Sequence, residues 1–224
     1  MNSLKSHQKT ASNTSRILKV LLAAAALGLT ASCAVSDAAA EKLPEVKADA
    51  YPMSLVEALQ QRRSARNFKS QALTDEQVAA LLWAAAGENR PEQHLRTVPS
   101  ARNKQEVQVY ALSAAGASLY EPATHSLKLI TTEDLRPLAA GPQVNFAAAP
   151  LIVLIVGDNS KLGKREITYA DAGFVSQNIC LMATALGLSS RPRMTMEKDE
   201  LKSALKLGPQ LEIILNNPVG YAED

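Results

Sequence analysis

The sequence predicts a single α+β domain with a mixed sheet flanked by helices, and three observations carry this prediction. Residues 150–157 are a continuous aliphatic run of strand length, which is typical of a strand buried on both faces. Residues 54–57 and 74–77 are capping boxes, and each predicts the start of a helix. Predicted strands and helices do not alternate regularly along the chain, which favours a mixed sheet over a doubly wound parallel sheet.

Both capping boxes are followed by amphipathic sequence. The first helix carries an apolar stripe of Leu55, Val56 and Leu59, and the second helix is expected to end at about Gly87. After this helix, residues 88–104 are polar and interrupted by prolines, so they predict a long loop. Loops of this length in a compact domain are usually functional or disordered.

Hydrophobic periodicity predicts the remaining elements. The first two strands are expected to be joined by a turn near residues 121–122. In chain order the predicted elements are a strand at 106–112, its partner at 126–130, a short helix at 132–138, the buried strand at 150–157, a long helix at 169–186, an extended stretch at 191–196, a short helix from 197 or 199 to 207 and a last strand at 211–215.

Size, charge and cysteine content exclude several classes of protein. A chain of 224 residues is long enough for one well-packed domain, and its formal net charge is only +2. Part of this charge comes from Lys5, Lys9, Arg16 and Lys19. The rest of the chain is close to neutral, which argues against a nucleic-acid partner held by bulk electrostatics. With two cysteines, Cys33 and Cys180, no disulfide framework and no cysteine-rich metal site can form, and we predict no metal centre.

The N-terminus predicts export. Residues 1–33 begin basic and polar, continue with an apolar run too short to span a bilayer comfortably, and are typical of a signal peptide. Small residues before Cys33 resemble a bacterial lipoprotein cleavage box, so an acylated Cys33 would attach the protein to a membrane; cleavage after Ala34 is the alternative. We therefore expect a linker at 34–53, a folded domain at 54–224 and a periplasmic or cell-envelope location.

A cationic segment follows the first predicted helix. Arg62, Arg63 and Arg66 lie with Ser64 within five positions. Unless they are simply solvated, three guanidinium groups this close together favour a compact anion such as a phosphate. The alternative is a solvated cationic helix end that interacts with the helix dipole.

Four segments in order resemble the nitroreductase family of flavoproteins, and more closely its short branch that includes thiazoline-oxidase-like members. They are 62–68, similar to the family's Arg-x-Ser-x-Arg-x-Phe; 96–103, where Pro-Ser-x-x-Asn is typical; 171–188, similar to its central helix; and 218–221, similar to its terminal Pro-Val-Gly. The resemblance extends from about Ser54 to Tyr221. It implies a nitroreductase-like fold with a mostly antiparallel sheet, and a homodimer that binds its flavin at the interface.

The resemblance also implies roles for individual residues. Arg62, Ser64 and Arg66 would hold the phosphate and ribityl chain of FMN, since a dianionic phosphate favours forked charged donors and a hydroxyl. The longer relatives hold the phosphate with a cationic C-terminal tail, and in this chain that ligand is either missing or supplied by Arg63 or Arg102. Pro99, Ser100, Ala101 and Asn103 of the partner subunit would also contact the flavin. Backbone N–H groups at Arg193 and Met194 would face the N5 edge of the flavin ring. No catalytic side chain is expected, because the flavin carries the chemistry.

These expectations lead to one principal functional hypothesis and two alternatives. The principal hypothesis is an FMN-dependent oxidoreductase that passes hydride from a reduced donor, NADH or NADPH, through flavin N5 to a nitroaromatic, quinone or similar acceptor. The first alternative is a flavin oxidase or dehydrogenase acting on a peptide or small metabolite. The second is a non-catalytic binding module on the same scaffold, which the missing cationic tail favours.

Overall fold

A seven-stranded antiparallel sheet dominates the computed structural model, which describes residues 40–223. The strands in the described part of the chain are β1 (Glu41–Lys42), β2 (Glu88–Arg90), β3 (Leu95–Arg96), β4 (Val107–Ser113), β5 (Gly116–Glu121), β6 (Ser126–Thr131), β7 (Leu151–Asp158), β8 (Ser189–Ser190) and β9 (Leu211–Gly220). The large sheet has the order β1-β6-β5-β4-β7-β9-β8, and β2 pairs with β3 in a separate hairpin. The predicted α+β class with a mostly antiparallel sheet is confirmed.

Helices cover both faces of this sheet. Over the same residues they are α1 (Leu55–Gln61), α2 (Asp75–Ala86), α3 (Arg136–Ala140), α4 (Asn159–Leu162), α5 (Arg165–Ala185) and α6 (Lys198–Ala204). The long helix α5 packs on α2 and on strands β7 and β9, whereas α3 packs on β7 and on α6. Both capping boxes are formed, because Ser54 and Thr74 each exchange hydrogen bonds with the third helical residue.

Strand β7 is buried on both faces, as its aliphatic run predicts. Leu151, Val153 and Ile155 belong to the core cluster under α2 and α5. The alternate residues, Ile152 among them, belong to the cluster under α3 and α6. Because successive side chains of a strand point to opposite faces, an unbroken aliphatic run fits only a strand that is covered on both sides.

The predicted pairing of 106–112 with 126–130 is wrong. Strand β5 lies between β4 and β6 and pairs with both, with Tyr110 opposite Leu119 in the first ladder. Gly116 begins β5 with a φ of 133°, which a residue with a side chain rarely adopts, and so permits a tight turn after β4. The small residues at the start of β5 hide its strand pattern in the sequence.

Two other predicted loop regions are more ordered than expected. The segment 88–104 contains the β2–β3 hairpin and two short 3₁₀ turns. Within the predicted linker, β1 pairs with β6, and Leu43 is buried with its N–H donating to the His125 carbonyl at 2.9 Å. The linker prediction is therefore wrong for residues 41–43. The predicted signal peptide lies outside the described residues, and no helix within 40–223 is long and apolar enough to cross a membrane.

Helix α1 turns its predicted apolar stripe outward. Leu55, Val56 and Leu59 are between 53% and 65% exposed, and Ala58 is the buried residue of this helix. Phe174, on the neighbouring helix α5, is 47% exposed. A single chain therefore leaves apolar side chains of two packed helices in contact with water.

Candidate functional site

The arginine segment runs along the β8 edge of the sheet. Arg62 ends helix α1, and its N–H still donates to the Ala58 carbonyl at 2.9 Å. Ser64 then forms a parallel bridge with Ser190 of β8, and Phe68 forms an antiparallel bridge with Ala222. These two bridges fix the extended segment at both ends, so its side chains are held at the sheet edge and not at a free helix end.

Three polar side chains of this segment have free hydrogen-bonding capacity. Ser64 and Arg66 are exposed and Arg62 is half-buried, whereas Ala65 between them is buried. Positions 62 and 64 share one side of an extended chain, and a bend follows at Arg66. Within residues 40–223 no side-chain hydrogen bond or ion pair satisfies Arg62, Ser64 or Arg66. The segment can therefore offer two guanidiniums and a hydroxyl to a ligand.

A buried polar network lies beneath Ser64. The Asn217 amide donates to Ser190 Oγ at 3.2 Å and to Cys180 Sγ at 3.5 Å, and Ser176 donates to Asn217 Oδ1 at 2.8 Å. All four residues are buried. Burial raises the pKa of the Cys180 thiol, which is consistent with a core residue and not with a reactive thiol. The network ties β8 to α5 and β9 and so sets the position of Ser64.

Arg193 has a saturated side chain. It is 5% exposed, and its guanidinium lies over the Phe146 ring at 4.2 Å from the centroid. Its acceptors, at 2.7–3.1 Å, are the carbonyls of Ala139 and Ala140 and the side-chain oxygens of Gln143 and Asn216. Burial lowers the pKa of this guanidinium. These bonds join the strand edge to α3 and leave little capacity for a ligand.

The backbone around Arg193 separates the two predicted N–H donors. The Arg193 N–H donates to the Asn216 carbonyl and the Asn216 N–H donates to the Arg193 carbonyl, both at 2.8 Å. Met194 is 53% exposed, and among the described residues no backbone carbonyl accepts from its N–H. Of the two predicted donors, only the Met194 N–H is available to a ligand.

The loop of residues 99–103 is held in a strained conformation. Arg102, Asn103 and Gln105 all have φ between 48° and 54°, a region that non-glycine residues seldom occupy. Ser100 Oγ accepts from the Gln105 N–H at 2.9 Å, and the Ala101 N–H donates to Asp171 Oδ2 at 2.8 Å. One side chain of the loop itself and one from helix α5 therefore maintain a backbone shape that is unfavourable by itself.

One chain does not bring the two predicted flavin segments together. The loop 99–103 is anchored at Asp171, near the start of α5, whereas the arginine segment lies by Ser190 and Cys180, near its end. At a rise of 1.5 Å per residue, Asp171 and Cys180 are about 14 Å apart along the helix. Arg62, Ser64 and Arg66 lie in one region, joined by the bridge between Ser64 and Ser190 to the stretch that continues to Met194. Pro99, Ser100, Ala101 and Asn103 lie in another. Their assignment to a flavin stays a prediction.

Several residues that shape these segments escaped the sequence analysis. Asn217 lies in a strand that is otherwise largely apolar, and Asp171 lies among small residues of α5; a polar residue in such a position signals a specific partner. Nothing in the local pattern indicates that Ser190 faces Ser64. No group of three or more His, Cys, Asp or Glu residues within 40–223 could hold a metal ion.

Three comparisons relate the chain to known proteins. The model of the nitroreductase family matches residues 59–221. A curated protein of Methanocaldococcus jannaschii, named as an inferred nitroreductase, is 30% identical over 181 residues that cover 74% of this chain and 89% of the relative. A crystal structure of a similarly named protein from Ralstonia eutropha has a TM-score of 0.77 at 29% identity and covers 87% of this chain and 93% of that chain.

A more distant likeness concerns the fold alone. A chain of the Escherichia coli microcin synthetase complex, solved with a truncated precursor peptide, has a TM-score of 0.67 at 14% identity. The match covers 98% of this chain and 85% of that chain.

Proposed function

Because the chain belongs to the nitroreductase family, we propose that it is an FMN-dependent oxidoreductase. It would transfer hydride from a reduced donor, NADH or NADPH, to a nitroaromatic, quinone or similar electron-poor acceptor. The proposal concerns the cofactor, the donor and the acceptor; an oxidoreductase activity follows from the family.

Free side-chain donors beside a strand edge with an unbonded backbone N–H are the observation that carries the proposal. Arg62, Ser64 and Arg66 have unsatisfied donors, and the bridge between Ser64 and Ser190 keeps them next to the strand edge that leads to Met194. Two guanidiniums and a hydroxyl fit the phosphate and ribityl chain of FMN. The Met194 N–H, which no carbonyl among the described residues accepts, fits the edge of the flavin ring at which hydride arrives.

The residues of the chain would bind and orient, and none would act as a nucleophile. When bound, FMN supplies the hydride-accepting and hydride-donating chemistry. Arg62 and Arg66 would neutralise the phosphate, and Ser64 would donate its hydroxyl proton to it or to the ribityl chain. The Met194 N–H would fix the ring edge by a hydrogen bond, while the saturated Arg193 keeps that backbone in place.

A second copy of the chain would complete the site. The loop 99–103 lies too far along α5 to reach the arginine segment of its own chain, whereas an exposed apolar surface of Leu55, Val56, Leu59 and Phe174 is available for association. Burying such a surface favours a homodimer. We propose that this dimer brings the loop of one chain to the arginine segment of the other.

Export is proposed on the sequence of residues 1–33 alone. Fractionation of cells that produce the protein, with Cys33→Ala as the comparison, would test it. Membrane association that is lost in the variant would support acylation of Cys33. Recovery of the unmodified protein from the cytoplasm would contradict export.

An anaerobic titration tests the proposed reaction. The purified protein is reconstituted with FMN and titrated with NADH and with NADPH while the absorbance of the oxidised flavin is followed. Bleaching by either nucleotide, and its reversal by a quinone or nitroaromatic, would support the proposal. A bound flavin that neither nucleotide bleaches, but that consumes oxygen with a peptide or metabolite in a separate aerobic assay, would favour the oxidase or dehydrogenase alternative. Protein that takes up no FMN would favour a non-catalytic binding module.

A further inference from the structure

Two carboxyl groups lie buried against the loop 99–103. Glu106 immediately precedes β4 and is 0% exposed, and Asp171 on α5 is 5% exposed. The two carboxyl groups are within hydrogen-bonding reach of each other. Asp171 lines a small cleft, which is also lined by Gln105 and Val107, the two neighbours of Glu106 in the chain.

The hydrogen bonds of this pair are incomplete if both groups are ionised. Among the described residues no other residue donates to Oε1 or Oε2 of Glu106, whereas Asp171 Oδ2 accepts from the Ala101 N–H at 2.8 Å. A buried carboxylate without a partner is strongly unfavourable. Two carboxylates in contact cannot both be ionised without a large repulsion. A proton between them removes both penalties.

We propose that Glu106 and Asp171 share a proton, and that the shared proton holds the loop 99–103 in the shape that presents it to a partner chain. The Glu106 O–H donates to Asp171, whose carboxylate then accepts from both Glu106 and Ala101. Glu106 is thus a positioning residue, since it acts on the loop only through Asp171.

The strain in the loop explains why this anchor matters. Arg102, Asn103 and Gln105 have positive φ, so the loop needs contacts from outside to keep its shape. The bond from Ala101 to Asp171 is such a contact, and it links the loop to the long helix α5. When the shared proton leaves, repulsion between two buried anions moves Asp171 or Glu106, and the loop loses its anchor.

The charged groups around the pair are compatible with a single negative charge. Arg96 donates through Nη1 to the Val107 carbonyl at 3.1 Å and attracts Glu106 at longer range. Lys161 donates to the Gln105 carbonyl at 3.2 Å and also favours the Glu106 anion. The Asp158 N–H donates to the backbone carbonyl of Glu106, and the Asp158 carboxylate accepts from Ser160. Burial, and then Asp171, outweigh these cations and raise the pKa of Glu106 to about 7.

The role in presenting the loop rests on the proposed flavin site, but the proton-sharing pair can be tested without a cofactor. The experiment compares purified wild-type protein with Glu106→Gln, in which the amide N–H₂ donates to Asp171 at every pH. Urea unfolding is measured between pH 5 and pH 8 in the absence of FMN. Carboxyl C=O stretching is followed by infrared difference spectroscopy over the same range.

The expected direction follows from the raised pKa. A group whose pKa is higher in the folded state stabilises the fold below its unfolded pKa, and this stabilisation is lost as the pH rises through the folded pKa. We therefore consider the ratio of the unfolding equilibrium constant of the wild type to that of Glu106→Gln. This ratio should increase on the order of 100-fold from pH 5 to pH 8. A protonated-carboxyl band that is lost near pH 7, and is absent from the variant, should accompany this change.

A ratio that stays constant from pH 5 to pH 8, without such a band in the wild type, would overturn the proposal. If Glu106→Gln does not fold, the infrared titration of the wild type decides whether the proton is shared, and amide exchange at Ala101 in Asp171→Ala, which has no side-chain acceptor, decides whether Asp171 anchors the loop. Exchange at Ala101 that is at least about 10-fold faster than in the wild type supports the anchor, and unchanged exchange contradicts it. Failure to bind FMN would refute the proposed function but leave these cofactor-free results unaffected.

Discussion

Arg193 and Arg66 lie in segments that meet at the same edge of the sheet, yet they differ in what they can do. Arg193 is buried and satisfies its guanidinium with carbonyl and amide oxygens of the chain. Arg66 is exposed, and no hydrogen bond or ion pair within 40–223 satisfies its guanidinium. A cluster of arginines therefore indicates a ligand site only where the guanidinium N–H groups have no acceptor in the chain. An arginine whose N–H groups are all bonded to the chain stabilises the fold.

Replacing Arg193 by alanine should give the largest loss of stability. The change leaves the side-chain oxygens of Gln143 and Asn216 without a donor, takes one donor from each of the Ala139 and Ala140 carbonyls, and removes the contact with Phe146. We expect the free energy of unfolding to fall by about 3–5 kcal/mol, as measured by urea denaturation without cofactor.

Arg66→Ala is the matched control for this prediction. Because its side chain is exposed and unpaired, the free energy of unfolding should change by less than about 0.5 kcal/mol. Equal losses in the two variants would mean that the contrast between a saturated and a free arginine does not hold.

A similar contrast exists between buried and exposed apolar side chains. Those of α1 that the chain leaves exposed are available for association with a second chain. Leu59→Glu should weaken the proposed dimer by about 2–3 kcal/mol, because a charge would replace an exposed apolar side chain of the proposed association surface. Analytical ultracentrifugation would measure the dissociation constant. Lys128→Glu, on a strand near the opposite edge of the sheet, is the control and should leave association unchanged. Wild-type protein that stays monomeric with bound FMN would contradict the surface assignment.

Removing a free arginine should affect binding and not folding. For Arg66→Ala we expect FMN to bind about 10- to 100-fold more weakly, which corresponds to the loss of one charge-assisted hydrogen bond of about 1.5–3 kcal/mol. Flavin fluorescence quenching at fixed ionic strength would measure the affinity. Arg165→Ala removes an exposed arginine that is paired with Glu212 and should leave the affinity unchanged. An equal loss in both variants would point to a general charge effect and not to a phosphate contact.

Local patterns in the sequence predicted those elements whose structure is determined locally. Both capping boxes form between residues three apart, and the aliphatic run of β7 can only be a strand covered on both faces. Strand β5 was missed because its small first residues show no alternation of apolar and polar side chains. The resemblance located the arginine segment and the loop 99–103, but it did not distinguish the Arg193 N–H, already bonded to Asn216, from that of Met194.

Contacts between distant parts of the chain could not be predicted in this way. Ser64 meets Ser190, and Glu106 meets Asp171, only because the topology of the sheet and α5 brings these positions together. Neither pair has a sequence spacing that suggests contact. The outward orientation of the apolar stripe of α1 could not be predicted either. An apolar stripe indicates that a helix face is buried, but not whether the same chain or a second chain covers it.

A third arginine, Arg165, is exposed but paired, and its partner should give the smallest effect. Arg165 holds the pKa of Glu212 down to about 2, with Tyr169 and Asn159 also donating to this carboxylate and burial opposing them. A lowered pKa stabilises the fold above the ordinary pKa of about 4.5, and the stabilisation is lost as the pH falls from there towards 2. Glu212→Gln should therefore lower the melting temperature at pH 7 by about 3 °C or less, because solvent screens an exposed pair, and flatten its decline below pH 4.5. The substitution Glu133→Gln, at an exposed position, serves as the control. If the melting temperature of Glu212→Gln declines below pH 4.5 as steeply as that of the wild type, this exposed pair contributes nothing to stability.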